Sequence, residues 1–272
     1  MNLSNKHILS LGGGGVRGMA LIGSLKYLEE IDFFKQIDTY AGTSVGALLS
    51  TLLVLGYSID EIFNIAINLD FSKFFQYNEL STLINAFGFD KGARFNYICK
   101  QLIVYKGYDP DITLNELHKM VKKKLIVAVT NINTNKGEYW SYETQPDLMV
   151  RTALRASCCI PILLAPIKMN NTLYIDGGCT IHIPLNIFNK DEVLGINLVF
   201  PYQTNDINDF EGYIFSVLKT MYCSFSKVND DYDIVNISTD VLSSDFNIDI
   251  NKKQQLYDIG YNYCKDKLLI QN

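Results

Sequence analysis

The chain is expected to fold as one α/β domain, built on a mostly parallel central sheet covered by helices on both faces. Three observations carry that expectation. Short apolar, β-rich runs alternate with longer stretches of helical periodicity from one end of the sequence to the other. The run Leu125–Thr130 is continuously apolar up to its last residue, as suits a strand buried on both faces. Two glycine-framed turns, Gly12–Gly18 and Gly42–Gly46, each join a strand directly to a helix. At 272 residues, 48% apolar and 19% charged, the chain has the material for one sizeable core. All of residues 1–272 are assigned to one domain, the motif-bearing part at about 7–200 and residues 201–272 completing the fold.

In order, His7–Leu11 reads as a strand running into Gly12–Gly18. Met19, Ala20, Leu21, Ile22, Leu25 and Leu28 then recur at helical spacing as far as Glu30. Ile37–Ala41 is a second strand, and Val45–Leu55 an almost wholly apolar helix stopped by Gly56. Ser58 and Glu61 form a capping box for a helix carrying Ile59, Ile62, Phe63, Ala66 and Ile67. From Leu69 to Phe95 the pattern loosens while aromatics accumulate: Phe71, Phe74, Phe75, Tyr77, Phe87, Phe89 and Phe95. This fits a helical subdomain packed on the core better than an apolar rim or lid meeting lipid, because aromatic clusters are usually core. Ala93–Val104 is helical, and Thr113 with Glu116 caps a helix bearing Leu117, Met120 and Val121. After the strand Leu125–Thr130 come a turn at Asn133–Gly137, a returning strand Glu138–Tyr142 and a helix Asp147–Ala156 broken by Cys159-Ile160-Pro161. Pro166–Met169 and Leu173–Ile175 form a hairpin ending at Asp176-Gly177-Gly178. A strand Glu192–Phe200, a long helix Asp209–Lys227, a strand Asp233–Ile237 and a helix Asn251–Leu269 complete the chain.

The net charge of −5 argues against a nucleic-acid partner, which needs clustered Lys and Arg, and Lys122-Lys123-Lys124 reads as a solvated helix end. No segment resembles a signal peptide, and Ala41–Ile59 is too interrupted by glycine, serine and threonine to span a membrane, so a soluble intracellular protein is expected. The six cysteines form no C-x-x-C pair, so reduced, partly buried thiols are expected and no metal site.

Ser44 stands in Gly42-Thr43-Ser44-Val45-Gly46, a G-x-S-x-G pattern in which the flanking glycines let neighbouring backbone approach and hold the hydroxyl up. A serine needs a positioned base. Of three histidines, His7 precedes the first loop and His118 lies on a helix, on its outer side. His182, six residues beyond Asp176, is the one that could complete a triad. The alternative is a carboxylate acting directly. Asp176 closes a strand and is followed by two glycines that would let it approach Ser44 unobstructed. The upstream loop supports two readings. Gly13-x-Gly15-x-x-Gly18, after a strand and before a helix with Asp38 about 20 residues on, matches the dinucleotide fingerprint. The same loop, its N–H groups at a helix N-terminus, could equally hold an oxyanion.

Taken together, Gly13-Gly14-Gly15-Val16-Arg17-Gly18, Gly42-Thr43-Ser44-Val45-Gly46 and Asp176-Gly177-Gly178 resemble, in content and order, the patatin-like phospholipases. Ala156-Ser157-Cys158-Cys159-Ile160-Pro161 is similar to the family's A-S-x-A-x-P stretch, with Cys159 replacing the usual alanine. The resemblance runs from about Ile8 to Pro184. It implies a Ser–Asp dyad, with Ser44 as nucleophile and Asp176 as general base, and an oxyanion hole of Gly13, Gly14 and Gly15. Arg17 would orient the loop or attract substrate phosphate. The implied substrate is a fatty-acyl ester of a glycerophospholipid or related lipid, met at a membrane surface, with no cofactor and no metal.

Overall fold

The structure is a computed structural model that describes residues 1–74, 80–199, 231–242 and 245–269, with residues 207, 213, 216, 217 and 220 between them. In chain order the elements open with β1 (Ile8–Leu11), α1 (Gly18–Glu30), β2 (Thr39–Thr43), α2 (Val45–Val54) and α3 (Ile59–Asn68). They continue with α4 (Leu80–Ala86), β3 (Gly88–Asp90), α5 (Ala93–Tyr105), α6 (Leu114–Val121), β4 (Lys124–Asn131) and β5 (Lys136–Trp140). The remainder is α7 (Val150–Ser157), β6 (Ile162–Leu164), β7 (Ile167–Met169), β8 (Thr172–Asp176), β9 (Val193–Val199), β10 (Ile234–Ser238) and α8 (Ile250–Leu269). Of the helix expected at Asp209–Lys227 only residues 213, 216, 217 and 220 are described, and these four are helical.

The sheet is mostly parallel, as expected. Strands run β10-β9-β1-β2-β4 in parallel, and β8 and then β7 extend the order antiparallel. The registers on β4 position the site. β5 pairs with β4 from Val127 through Asn131. The other side of β4 is therefore shared between β2, which ends with Thr43 opposite Ala128, and β8, which ends with Asp176 opposite Val129. Two strands thus arrive head to head along one partner, and the residues at their tips meet. β3 and β6 form a separate two-stranded parallel pair that the sequence pattern did not announce. At three residues each, they are too short to show an alternation.

The main core lies between the helices and the sheet: Leu9, Leu11, Leu194 and Ile196 from the strands meet Leu21, Leu25, Leu28, Leu52 and Leu256. α2 is apolar because it is packed on nearly all sides, with Leu49, Leu52, Leu53 and Val54 all buried. A smaller cluster on Ile8, Val193 and Ile234 packs against Ile183 and Leu185. Both capping boxes form, Ser58 with Glu61 and Thr113 with Glu116. Lys253 on α8 is 4% exposed, and its ammonium donates to the Ala66, Ile67 and Leu69 carbonyls at the C-terminal end of α3. It also lies 4.4 Å from the centre of the Phe71 ring. Cys99, Cys158, Cys159, Cys179 and Cys264 are free and buried, and Cys223 lies outside the described residues. No helix among the described residues is long and apolar enough to cross a membrane.

The aromatic segment divides. Phe74 is within 6.1 Å of Phe95, centre to centre, and both face inward, whereas Phe87 is 62% exposed. Tyr77 lies outside the described residues.

Candidate active site

Ser44 sits where β2 turns into α2, with φ 54° and ψ −122°. A positive φ is strained for a residue with a side chain, and this one holds the hydroxyl clear of the helix it precedes. The flanking glycines permit the turn by close approach. A Cβ on Gly46 would stand 2.3 Å from the Leu11 carbonyl oxygen, and one on Gly42 2.3 Å from the backbone of Gly46. The Ser44 N–H donates to Ser157 Oγ at 2.9 Å, and Ser157 in turn donates to the Ala128 carbonyl at 2.7 Å. Ser157 thereby links the elbow to β4.

The Ser44 hydroxyl donates to Asp176 Oδ2 at 2.7 Å. The second carboxylate oxygen, Oδ1, accepts from the Gly178 N–H at 2.8 Å. The Asp176 backbone is held at both ends: its N–H donates to the Cys159 carbonyl, and its carbonyl accepts from Thr130 Oγ1 at 2.9 Å. Asp176 is 2% exposed. Burial raises its pKa to about 7, against the hydrogen bonds from Ser44 and Gly178 that favour the carboxylate. A carboxyl group so poised can accept a proton near neutral pH and give it back.

His182 takes no part in this pair. It is buried with Nε2 against the Leu198 carbonyl at 3.1 Å, and burial lowers its pKa to about 4, so it stays neutral. Its backbone matters more, because its carbonyl accepts the Gly13 N–H at 2.9 Å. That bond corrects one expectation about the glycine loop: the Gly13 N–H is already engaged. The N–H groups of Gly14 and Gly15 have no acceptor among the described residues. Arg17 is wholly buried and its guanidinium donates to the Val199 carbonyl at 2.8 Å, with Nε at 3.4 Å from the Gly14 carbonyl. Such a side chain braces the loop from beneath and is not placed to attract a substrate phosphate.

The dinucleotide reading does not fit this geometry. Gly13 lies against Thr43 and Ser44, at the C-terminal ends of β1 and β2. Asp38 lies before the first residue of β2, where its carboxylate accepts from Thr39 Oγ1. That puts it roughly 15 Å from the loop, at about 3.3 Å per strand residue. An acidic partner for a ribose would have to stand at the other end of β2, where Ser44 is.

Sequence reasoning missed three parts of the site. Ser157 was noted only within a resembling stretch. Thr130, which fixes the Asp176 carbonyl, carries no local signal. The third is a cavity of about 190 Å³ that opens beside Ser44 and runs between α1, α2, α3 and α5. Among the described residues Ser44 is its one polar side chain apart from the Cys158 thiol, and Val45, Leu48, Phe71, Phe95 and Ile98 are among its walls.

Fold and site together define an α/β protein of the strand–elbow–helix class, its serine paired with a buried aspartate across two strand tips. The chain belongs to the patatin-like phospholipase family, which it matches over residues 9–189. It is 30% identical over 282 residues to an uncharacterized protein of Acanthamoeba polyphaga mimivirus, covering 96% of this chain and 93% of that one. A probable lipid hydrolase of Invertebrate iridescent virus 6 is 34% identical over 182 residues, 66% of this chain and 62% of that protein. Among solved structures, VipD from Legionella pneumophila superposes with a TM-score of 0.69 at 16% identity, over 97% of this chain and 67% of that one. The type III effector ExoU gives 0.53 at 15% identity, over 97% and 53%. These two likenesses concern the fold.

Proposed function

We propose that the protein is a lipid acyl hydrolase that cleaves fatty-acyl esters of glycerophospholipids or related lipids through an acyl-serine intermediate. The observation that carries the reading is the 2.7 Å hydrogen bond from Ser44 Oγ to a buried Asp176, at the mouth of an apolar cavity. Membership of the family and the similarity to a protein described as a probable lipid hydrolase support it.

In this mechanism the acyl chain enters the cavity and its ester carbonyl lies over Ser44. As Oγ bonds to the carbonyl carbon, Asp176 takes the hydroxyl proton and the carbonyl oxygen becomes an oxyanion facing the Gly14 and Gly15 N–H groups. Collapse expels the alcohol, which leaves with the proton from Asp176. Water then gives a proton to Asp176 and attacks the acyl-Ser44 ester, the proton returns to Ser44, and the fatty acid departs. Each hole donor of this type contributes on the order of 3 kcal/mol to transition-state stabilisation. No step calls for a metal or cofactor.

The test is fatty-acid release from phospholipid vesicles by the wild type and by Ser44→Ala, together with labelling by a serine-directed fluorophosphonate. The substitution is expected to abolish both while thermal unfolding is unchanged. A Ser44→Ala protein that still releases fatty acid at the wild-type rate would sink the assignment.

A further inference from the structure

The segment from Leu80 to Tyr105 has two sides. Its inner side supplies Phe95, Ile98 and Leu102 to the wall of the cavity. Its outer side carries large apolar and aromatic side chains among its polar ones: Ile84 is 67% exposed, Phe87 62%, Tyr97 61% and Tyr105 70%. On α5, Arg94, Tyr97, Gln101 and Val104 recur at spacings of three and four residues and are all exposed, so they form one outward stripe.

Phe87 is the most telling of these residues. It follows the last residue of α4 with φ 63°, the left-handed position that ends a helix and is ordinarily given to glycine or asparagine. A bulky side chain is strained there. The ring is also left largely in water, so packing does not compensate for the strain. Neither local conformation nor the core accounts for a phenylalanine at this place.

The charges on the same segment say what would meet it. Lys91, Arg94 and Lys100 are exposed, while the one acidic residue between Leu80 and Tyr105, Asp90, is 4% exposed. In a chain of net charge −5, this stretch presents only positive charge to solvent. Exposed rings flanked by Lys and Arg match an anionic lipid surface, with the rings at the acyl boundary and the cations among the headgroups.

We propose that the outer side of residues 80–105 is the surface by which this protein docks on anionic lipid bilayers, with Phe87 as the inserted ring. Docking there lays the bilayer against the helix whose other side walls the cavity, so the membrane stands about one helix diameter from the cavity that reaches Ser44. The inference deepens the hydrolase reading by naming the surface the enzyme works on.

The experiment measures vesicle binding and catalysis separately. Binding is read by co-sedimentation of the Ser44→Ala protein with vesicles of phosphatidylcholine alone or mixed with phosphatidylglycerol. Catalysis is read on the soluble ester p-nitrophenyl butyrate with Ser44 intact. The parent is expected to bind mixed vesicles and to bind pure phosphatidylcholine far more weakly. Phe87→Asn, which relieves the backbone strain, is expected to raise the unfolding temperature yet weaken binding about tenfold. Lys91→Glu with Arg94→Glu and Lys100→Glu is expected to weaken it about a hundredfold or more. Both should leave hydrolysis of the soluble ester unchanged. Equal binding by parent and variants, equal binding to the two vesicle types, or no binding by a protein that cleaves the soluble ester would each overturn the docking surface while leaving the hydrolase reading intact. So would self-association that Phe87→Asn abolishes in the absence of lipid. Loss of soluble-ester cleavage in Ser44→Ala with vesicle binding retained supports both readings.

Discussion

Replacing Asp176 by Asn should make the protein more stable and inactive at once, and the stability gain should grow with pH. The Asp176 carboxyl is buried, and its pKa rises from 3.8 to about 7 in the folded protein. Below about pH 4 the group is protonated both folded and unfolded, so folding does not discriminate against it. Between about pH 4 and 7 the unfolded chain gives up the proton and the folded one keeps it. The native state then binds more protons, and stability falls as pH rises. Above about pH 7 the folded carboxylate is ionised and the full penalty applies, about 4 kcal/mol at 1.36 kcal/mol per pH unit. An asparagine carries no such penalty and retains an oxygen for Ser44 or Gly178. Denaturant midpoints of both proteins should therefore nearly coincide at about pH 4 and separate steadily to about pH 8, with an unfolding temperature higher by on the order of 10 °C for the variant. Because an amide cannot accept the Ser44 proton, turnover should drop by roughly 10² to 10⁴. A gain that is the same at both pH values, or a loss at the higher one, refutes the argument that the carboxylate is held against its own desolvation.

The same titration should shape activity: kcat/KM on a soluble ester is expected to rise through about pH 7, and His182→Gln should leave that limb in place, because His182 already titrates near 4. Ser157→Ala strips the Ser44 N–H of its acceptor and should cost about 1–3 kcal/mol in denaturant unfolding, with kcat falling more than KM rises. Lys253→Met leaves the Ala66, Ile67 and Leu69 carbonyls without their cation and should lower stability by about 1–3 kcal/mol, measured by urea unfolding. Gly46→Ala drives a methyl into the Leu11 carbonyl and should cost at least about 1–3 kcal/mol, seen as a lower unfolding temperature.

Ser44 and Asp176 were legible because close backbone approach requires glycine, and glycine shows in a sequence whatever surrounds it. The elements that carry them were legible for the same local reason, although β2 runs to Thr43, two residues beyond the apolar stretch that announced it. What brings the pair together was not legible. The meeting of β2 and β8 depends on which residues of β4 each opposes, and no local pattern encodes a long-range register. The cavity escaped because its walls come from α1, α2, α3 and α5 together with residues such as Phe71 and Phe246, each of which alone reads as ordinary core. The aromatic segment was half read. Composition identified its apolar character, but orientation decides that Phe95 faces inward and Phe87 outward, and orientation is set by the neighbours. The engaged Gly13 N–H was likewise hidden, since its acceptor belongs to His182, 169 positions away.

The head-to-head arrival of β2 and β8 on one side of β4 makes the site an all-or-none device. β8 pairs with β4 at Val129, Thr130 and Asn131, the Ile132 N–H just beyond donates to the Leu173 carbonyl, and Thr130 Oγ1 touches the carbonyls of both Asp176 and Gly177. A slip of one residue would carry Asp176 about 3.4 Å along β4 and turn its side chain to the opposite face of the sheet. No partly slipped arrangement leaves a weaker version of the pair, so a population with damaged pairing at β8 is a mixture of fully competent and dead molecules. Active-site titration of such a population would count correctly registered sheets.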